Sequence, residues 1–186
     1  FPRFKFAGDG AKFYDPRKDS TAGGSGTHRF DDPSTWEFTL NPKVIEYNVL
    51  RGISFDGKWL YGLQSMTPSR LPTDSWFAAM NECDLLVDNS AGDQEPQYRC
   101  GAEVPVNMTP ADLIDAFDMA CNGRIAEIGG IYKAYAGAAG AAVFAFTDDD
   151  LLITEAKSFD MFPSLGELVN GCSATYPEPE EGWAAK

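Results

Sequence analysis

Between Thr109 and Gly123 the apolar positions Leu113, Ile114, Phe117, Ala120 and Cys121 recur at helical spacing. Thr109 can accept a hydrogen bond from the first turn, and Asp112 favours the positive helix end. Pro110 suits the first helical position, where its missing N–H would be unpaired anyway. The pattern predicts a helix that buries Phe117 and Cys121, turns Asp115 and Asp118 to solvent and stops at a left-handed Gly123.

From Thr35 the period changes to two. Trp36, Phe38 and Leu40, then Ile45, Tyr47 and Val49 after Asn41-Pro42, alternate as strands do. Asp56-Gly57 between Ile53-Ser54-Phe55 and Lys58-Trp59-Leu60-Tyr61 is a strong hairpin signal, so residues 35–65 read as an antiparallel meander. Asp74 can cap a segment with Trp76, Ala79, Met80 and Cys83 at helical spacing, although residues 75–84 also fit a strand. Leu85-Leu86-Val87 is strand-like, residues 88–97 are a polar loop, and residues 98–106 return as a strand towards Cys83.

Residues 124–135 fit either regular structure. Ala142 to Phe146 reads as a buried strand, turned by Asp148-Asp149-Asp150 into Leu151 to Thr154 as a second hairpin. Ser164-Leu165-Gly166-Glu167 is a capping box for a last helix with Cys172 facing inward. The chain thus divides into a glycine-rich aromatic segment (1–34), a core (35–176) and an acidic, proline-rich tail (177–186). Within the first segment, residues 20–27 read as a mobile loop, without the spacing of a phosphate-binding loop.

Of 186 residues, 44% are hydrophobic, enough for a single domain with a substantial core. The net charge of −13 argues against phosphate-mediated nucleic-acid binding and against attraction to anionic membranes. No apolar run approaches the ~20 residues of a membrane span. The chain starts at Phe1 rather than Met, as an exported chain does after leader removal.

Four cysteines without a C-x-x-C pair are most simply two disulfides. Cys83 with Cys100 and Cys121 with Cys172 is the favoured arrangement, each bridge worth ~2–4 kcal/mol, and two other pairings are open. Asn107-Met108-Thr109 is a glycan acceptor sequence, though Pro110 disfavours modification and the helix cap explains Thr109 as well.

The sequence contains no catalytic, cofactor-binding or metal-binding motif. His28, the single histidine, reads as an exposed loop residue. Asp31, Asp32, Glu46, Glu82, Asp84, Glu127 and Glu155 could supply the opposed pair of a glycoside hydrolase. The run Asp148 to Asp150 lacks the spaced acids of an EF-hand loop. Trp36, Tyr47, Trp59 and Tyr61 would stack on a sugar or an apolar ligand if they shared one face.

The helix bearing Cys121, the Ala/Gly-framed strand Ala142 to Phe146 and the closing helix bearing Cys172 resemble, in organisation, small secreted effector-type proteins of filamentous fungi. That resemblance covers mainly residues 98–176 and implies action outside the producing cell on host or cell-wall components. The combined expectation is a monomeric, secreted, disulfide-linked α+β domain, with an antiparallel sheet on one to three short helices. Its expected role is binding a host protein or polysaccharide without catalysis and without a cofactor. A carboxylate-based hydrolase of carbohydrate and a small apolar-ligand carrier are the alternatives.

Overall fold

The computed structural model describes residues 10–89, 92–105, 107–137, 140, 142, 144–150, 171, 173, 175, 177–178 and 184–185. The chain forms two compact units, residues 1–140 and 141–186. The α+β expectation holds: among the described residues three helices accompany antiparallel strands, which pair in five separate two-stranded sheets.

The centre of the first unit is α1, Pro42–Arg51, where the alternation had predicted a strand. Asn41 decides the outcome locally. Its Oδ1 accepts from the amides of Lys43 at 3.0 Å and Val44 at 3.2 Å, and Pro42 fills the first helical position. Every residue from Pro42 to Leu50 is buried. Val44, Tyr47 and Leu50 pack with Tyr14, Met66, Leu71, Trp76 and Met80, whereas Ile45 and Val49 pack with Leu113 and Phe117. A helix apolar on two sides shows no clean stripe, and Ile45, Tyr47 and Val49 mimic a strand by coincidence.

The predicted hairpin follows. Strands β3 (Ile53–Phe55) and β4 (Lys58–Tyr61) pair around Asp56 and Gly57, both at positive φ (51° and 69°), as a tight primed turn requires. Its base is fixed to α1 by two glycines. A Cβ at Gly52 would stand 2.2 Å from the Leu63 carbonyl oxygen, and one at Gly62 2.2 Å from that of Val49.

The second helix, α2, spans Thr73–Cys83, which resolves the helix-or-strand ambiguity. Its cap is Pro72, and Asp74 lies in the first turn instead of capping it. Strand β5 (Leu86–Asp88) pairs with β6 (Gln94–Pro96), inside the stretch expected to be loop. The expected strand over 98–106 is absent among its described residues, where the Cys100 amide donates instead to the Leu40 carbonyl.

The helix foreseen from Thr109 is α3, Pro110–Ala120. The Thr109 side chain accepts from the Asp112 amide at 3.2 Å, and Leu113 and Phe117 are buried. Ala120 lies exposed, off the predicted stripe, and the left-handed residue is Asn122 (φ 47°), one place before Gly123. The stretch 124–135 is a hairpin, β7 (Arg124–Ile128) with β8 (Ile131–Tyr135), docked where Trp76 Nε1 donates to the Tyr132 carbonyl at 2.9 Å.

The stretch before α1 contributes to the core. Strand β1 (Lys12–Phe13) pairs with β2 (Glu37–Phe38), and Tyr14 is buried. The glycine-rich loop read as mobile is pinned by a bridge between Asp19 and Thr27.

In the second unit, Phe144 and Phe146 pack edge to face with centroids 5.0 Å apart. Ala142 and residues 144–147 form no strand, and Asp148–Asp150 is a single 3-10 turn in which Asp150 accepts from the Thr147 amide. Pro177–Glu178 (β9) pairs with Ala184–Ala185 (β10) in the stretch expected to be a solvated tail. The predicted strand at Leu151 to Thr154, the helix begun at Ser164 and Cys172 lie outside the described residues.

Candidate functional site

Three places in the first unit concentrate chemistry: a buried charged centre, a polar cleft at His28 and the exposed β3–β4 hairpin.

The buried centre is made where α1, α2 and α3 meet. Lys43, in the first turn of α1, and Glu46, one turn later, have fully buried side chains joined by a 2.8 Å ion pair. Lys43 Nζ also contacts Asp118 Oδ1 on the last turn of α3. Asp118, expected towards solvent, is thus drawn inward by a cation that the strand reading of residues 43–49 had hidden.

Burial pushes the Glu46 carboxyl up to about 8, against the nearby Lys43 charge and reinforced by Asp118. For Lys43 burial works the other way, but the Glu46 charge and the Asp118 hydrogen bond outweigh it and hold the ammonium protonated. Glu46 Oε1 has no hydrogen-bond partner among the described residues. Glu46, Asp118 and Cys121 offer ligand atoms within 4.8 Å of one another, yet the cation they surround is the chain's own Lys43 ammonium.

Two thiols border this centre. Cys83, the last residue of α2, and Cys121, the cap of α3, are both fully buried and hydrogen-bonded to each other. That bond and Lys43 hold the Cys121 thiol below its usual range, against the effect of burial, whereas the same bond and burial push Cys83 up. Cys100 is part-buried beside Val104 and Met108, and burial pushes its thiol up to about 12. Cys83, Cys100 and Cys121 are free thiols in this structure, so the neighbour of Cys83 is Cys121 and no bridge to Cys100 is formed. Cys172 falls outside the described residues.

Contrary to the exposed-loop reading, His28 is only 3% exposed. Its Nδ1 accepts from the Asp15 amide at 3.1 Å, so Nε2 carries the proton of the neutral ring. Nε2 faces Glu37 Oε1 at 3.8 Å, beyond hydrogen-bond reach, in a cleft of about 200 Å³. The other charges there are paired: Arg17 with Asp15 and Asp84, and Lys18 with Glu37. Lys18 and then His28 hold the Glu37 carboxyl below its usual range.

The remaining acids singled out from the sequence are dispersed. Asp32 caps a 3-10 turn, Glu82 lies against Gly137, Glu127 is exposed on β7, and Glu155 lies outside the described residues. Asp31 lines a second cleft of about 350 Å³ with Asp19, Arg29, Arg51, Tyr14 and Phe30.

The four candidate aromatics do not share a face. Tyr47 is buried in α1, and Trp36 packs against the core with Nε1 donating to the Arg29 carbonyl at 2.8 Å. The Tyr61 hydroxyl is tied to the Met108 carbonyl at 3.0 Å, and only Trp59 stands out, 51% exposed. Asn107 is exposed just before the α3 cap.

Trp59 stands instead on the exposed β3–β4 hairpin, where the pairing of Ser54 with Trp59 and of Phe55 with Lys58 puts it on the opposite face from Phe55, 76% exposed, and Leu60, 53% exposed. Leu85, Leu86 and Val87 are exposed at β5. No described helix is long and apolar enough to cross a membrane. Compared with known proteins, the chain matches no family model, no curated protein and no solved structure.

Proposed function

We propose that this chain is a non-catalytic interaction protein that binds a protein partner through the β3–β4 hairpin. The observation that carries this reading is the exposure of Phe55, Trp59 and Leu60 on a two-stranded sheet. Among the described residues both outer edges of that sheet lack a neighbouring strand, which leaves a template for strand addition. Large apolar side chains in water at such an edge favour a partner that covers them. A net charge of −13 disfavours a second copy of the chain and favours a partner whose rim is basic.

A protein is preferred to a polysaccharide because Trp36 and Tyr47 are packed inside, leaving no aromatic platform around Trp59. A hydrolase has less support, since Glu46 is enclosed and the acids at His28 are held by Arg17 and Lys18. An apolar carrier has less support too, because charged residues line the larger cleft. The extracellular effector role suggested by the sequence is one setting for such docking, and the hairpin reading stands without it.

The test is to pan a displayed library of linear peptides on the folded chain. The expected winners alternate apolar residues with Lys or Arg, and Phe55→Glu with Trp59→Ser weakens them at least ~10-fold while the fold is kept. Enrichment of nothing, or peptides indifferent to both substitutions, overturns the proposal. So does a glycan array whose hits depend on Trp59.

A further inference from the structure

We infer that Lys43 and Asp118 are the two ends of an intramolecular amide, a cross-link that the folded chain forms between α1 and α3 with Glu46 carrying the proton. The geometry has the three parts such a condensation needs. Lys43 Nζ, the nucleophile, contacts Asp118 Oδ1 and is therefore one bond from the carboxyl carbon it would attack. Glu46 Oε2 lies 2.8 Å from the same nitrogen. Holding amine and carboxyl together in a rigid core replaces an encounter in solution by a local one, the largest advantage available to a bond-forming step.

The chemistry balances without any co-reactant. The ammonium of Lys43, which its acid neighbours hold protonated, first passes a proton to the carboxylate of Asp118, and the two become amine and acid. The Nζ lone pair forms the N–C bond, and the tetrahedral centre then expels one Asp118 oxygen. Glu46 takes a proton from the nitrogen on one side and delivers one to the departing oxygen, returning to its starting state. One water leaves and no electron changes hands.

Four further observations fit this role. The Lys43 and Glu46 side chains are fully shielded, as the neutral reactants require, whereas the Asp118 side chain keeps 15% exposure, an exit for water. Glu46 Oε1, buried and without a hydrogen-bond partner among the described residues, can receive and pass a proton. Gly123 presents no side chain to Nζ, where a Cβ would intrude at 2.8 Å. The buried position of Glu46, which holds its proton to about 8, also suits an acid that works near neutral pH.

The experiment is the intact mass of the folded full chain, followed by digestion. The expected result is a mass lower by one water, about 18 Da, and a branched peptide joining Lys43 to Asp118 with no cleavage after Lys43. Lys43→Arg and Asp118→Ala should return the full mass, and folded Glu46→Gln should form the link more slowly or not at all. Folded native chain of full mass overturns the inference whether or not the variants fold. A lost water that maps to a succinimide at Asp56-Gly57, with Lys43 open to protease, overturns it as well. Glu46→Gln that cross-links as fast as the native chain refutes the part given to Glu46.

Discussion

Asn48 and Tyr14 are joined by two hydrogen bonds running in opposite senses. The Asn48 amide nitrogen donates to the Tyr14 carbonyl at 2.7 Å, and the Tyr14 N–H donates to Asn48 Oδ1 at 3.2 Å. One side chain on α1 thereby replaces a strand partner for a buried piece of backbone, and it ties residues 10–35 to the helical core. Asn48→Leu leaves both Tyr14 groups unpaired in the interior. Chemical denaturation should show a loss of about 2–4 kcal/mol. Hydrogen exchange should speed up first around Tyr14.

In chain that has not closed the amide, Lys43 should behave as the partner of two acids rather than as a surface lysine. Lys43→Met leaves Glu46 and Asp118 facing each other without their cation, which should cost about 3–5 kcal/mol. Lys43→Met combined with Glu46→Leu should recover part of that loss, because an apolar pair needs no compensating charge. A double-mutant cycle measures the coupling, and additive effects would contradict the ion pair.

Glu46 makes stability depend on pH in a direction opposite to most acids. Its carboxyl is pushed from the ordinary range near 4.5 up to about 8 in the folded chain. Between those values the folded state binds the extra proton, so the contribution is full below about 4.5 and is lost as pH rises through 8. Urea midpoints should therefore fall from pH 5 to pH 8.5. Glu46→Gln, which keeps a neutral amide at every pH, should flatten that slope.

Phe117 and Gly123 test the packing of α3 from opposite directions. Phe117→Ala empties a site only 4% exposed beside Ile45 and Val49, and should cost ~3–5 kcal/mol. Gly123→Ala adds a methyl group 2.7 Å from the Tyr135 carbonyl oxygen and 2.8 Å from both Cys121 Sγ and Lys43 Nζ. Such overpacking should cost about 1–3 kcal/mol, read as a lower melting temperature.

Thr109-Pro110 and Asp56-Gly57 were legible because a cap and a primed turn depend on residues within a few positions of each other. Gly129-Gly130 closes the β7–β8 hairpin by the same local chemistry, and its positive φ angles of 60° and 82° mark a signal that could have been read. Asn41-Pro42 was also a cap in plain sight, but the alternation of Ile45, Tyr47 and Val49 outweighed it.

The centre at Lys43 was not legible in the same way. Lys43 and Asp118 are 75 positions apart, and nothing local distinguishes either from a solvated charge. Their meeting depends on α1 being buried on both sides, which draws α3 against it. His28 followed the same course: a glycine-rich neighbourhood suggested exposure, and the Asp15 amide brought the ring inside. The sequence by itself determined the α+β class, the third helix and the β3–β4 hairpin, because caps, turns and periodicity act over one or two turns of chain. Only the tertiary structure decided which charges are buried and which aromatics face water, since burial is set by contacts between segments far apart in sequence.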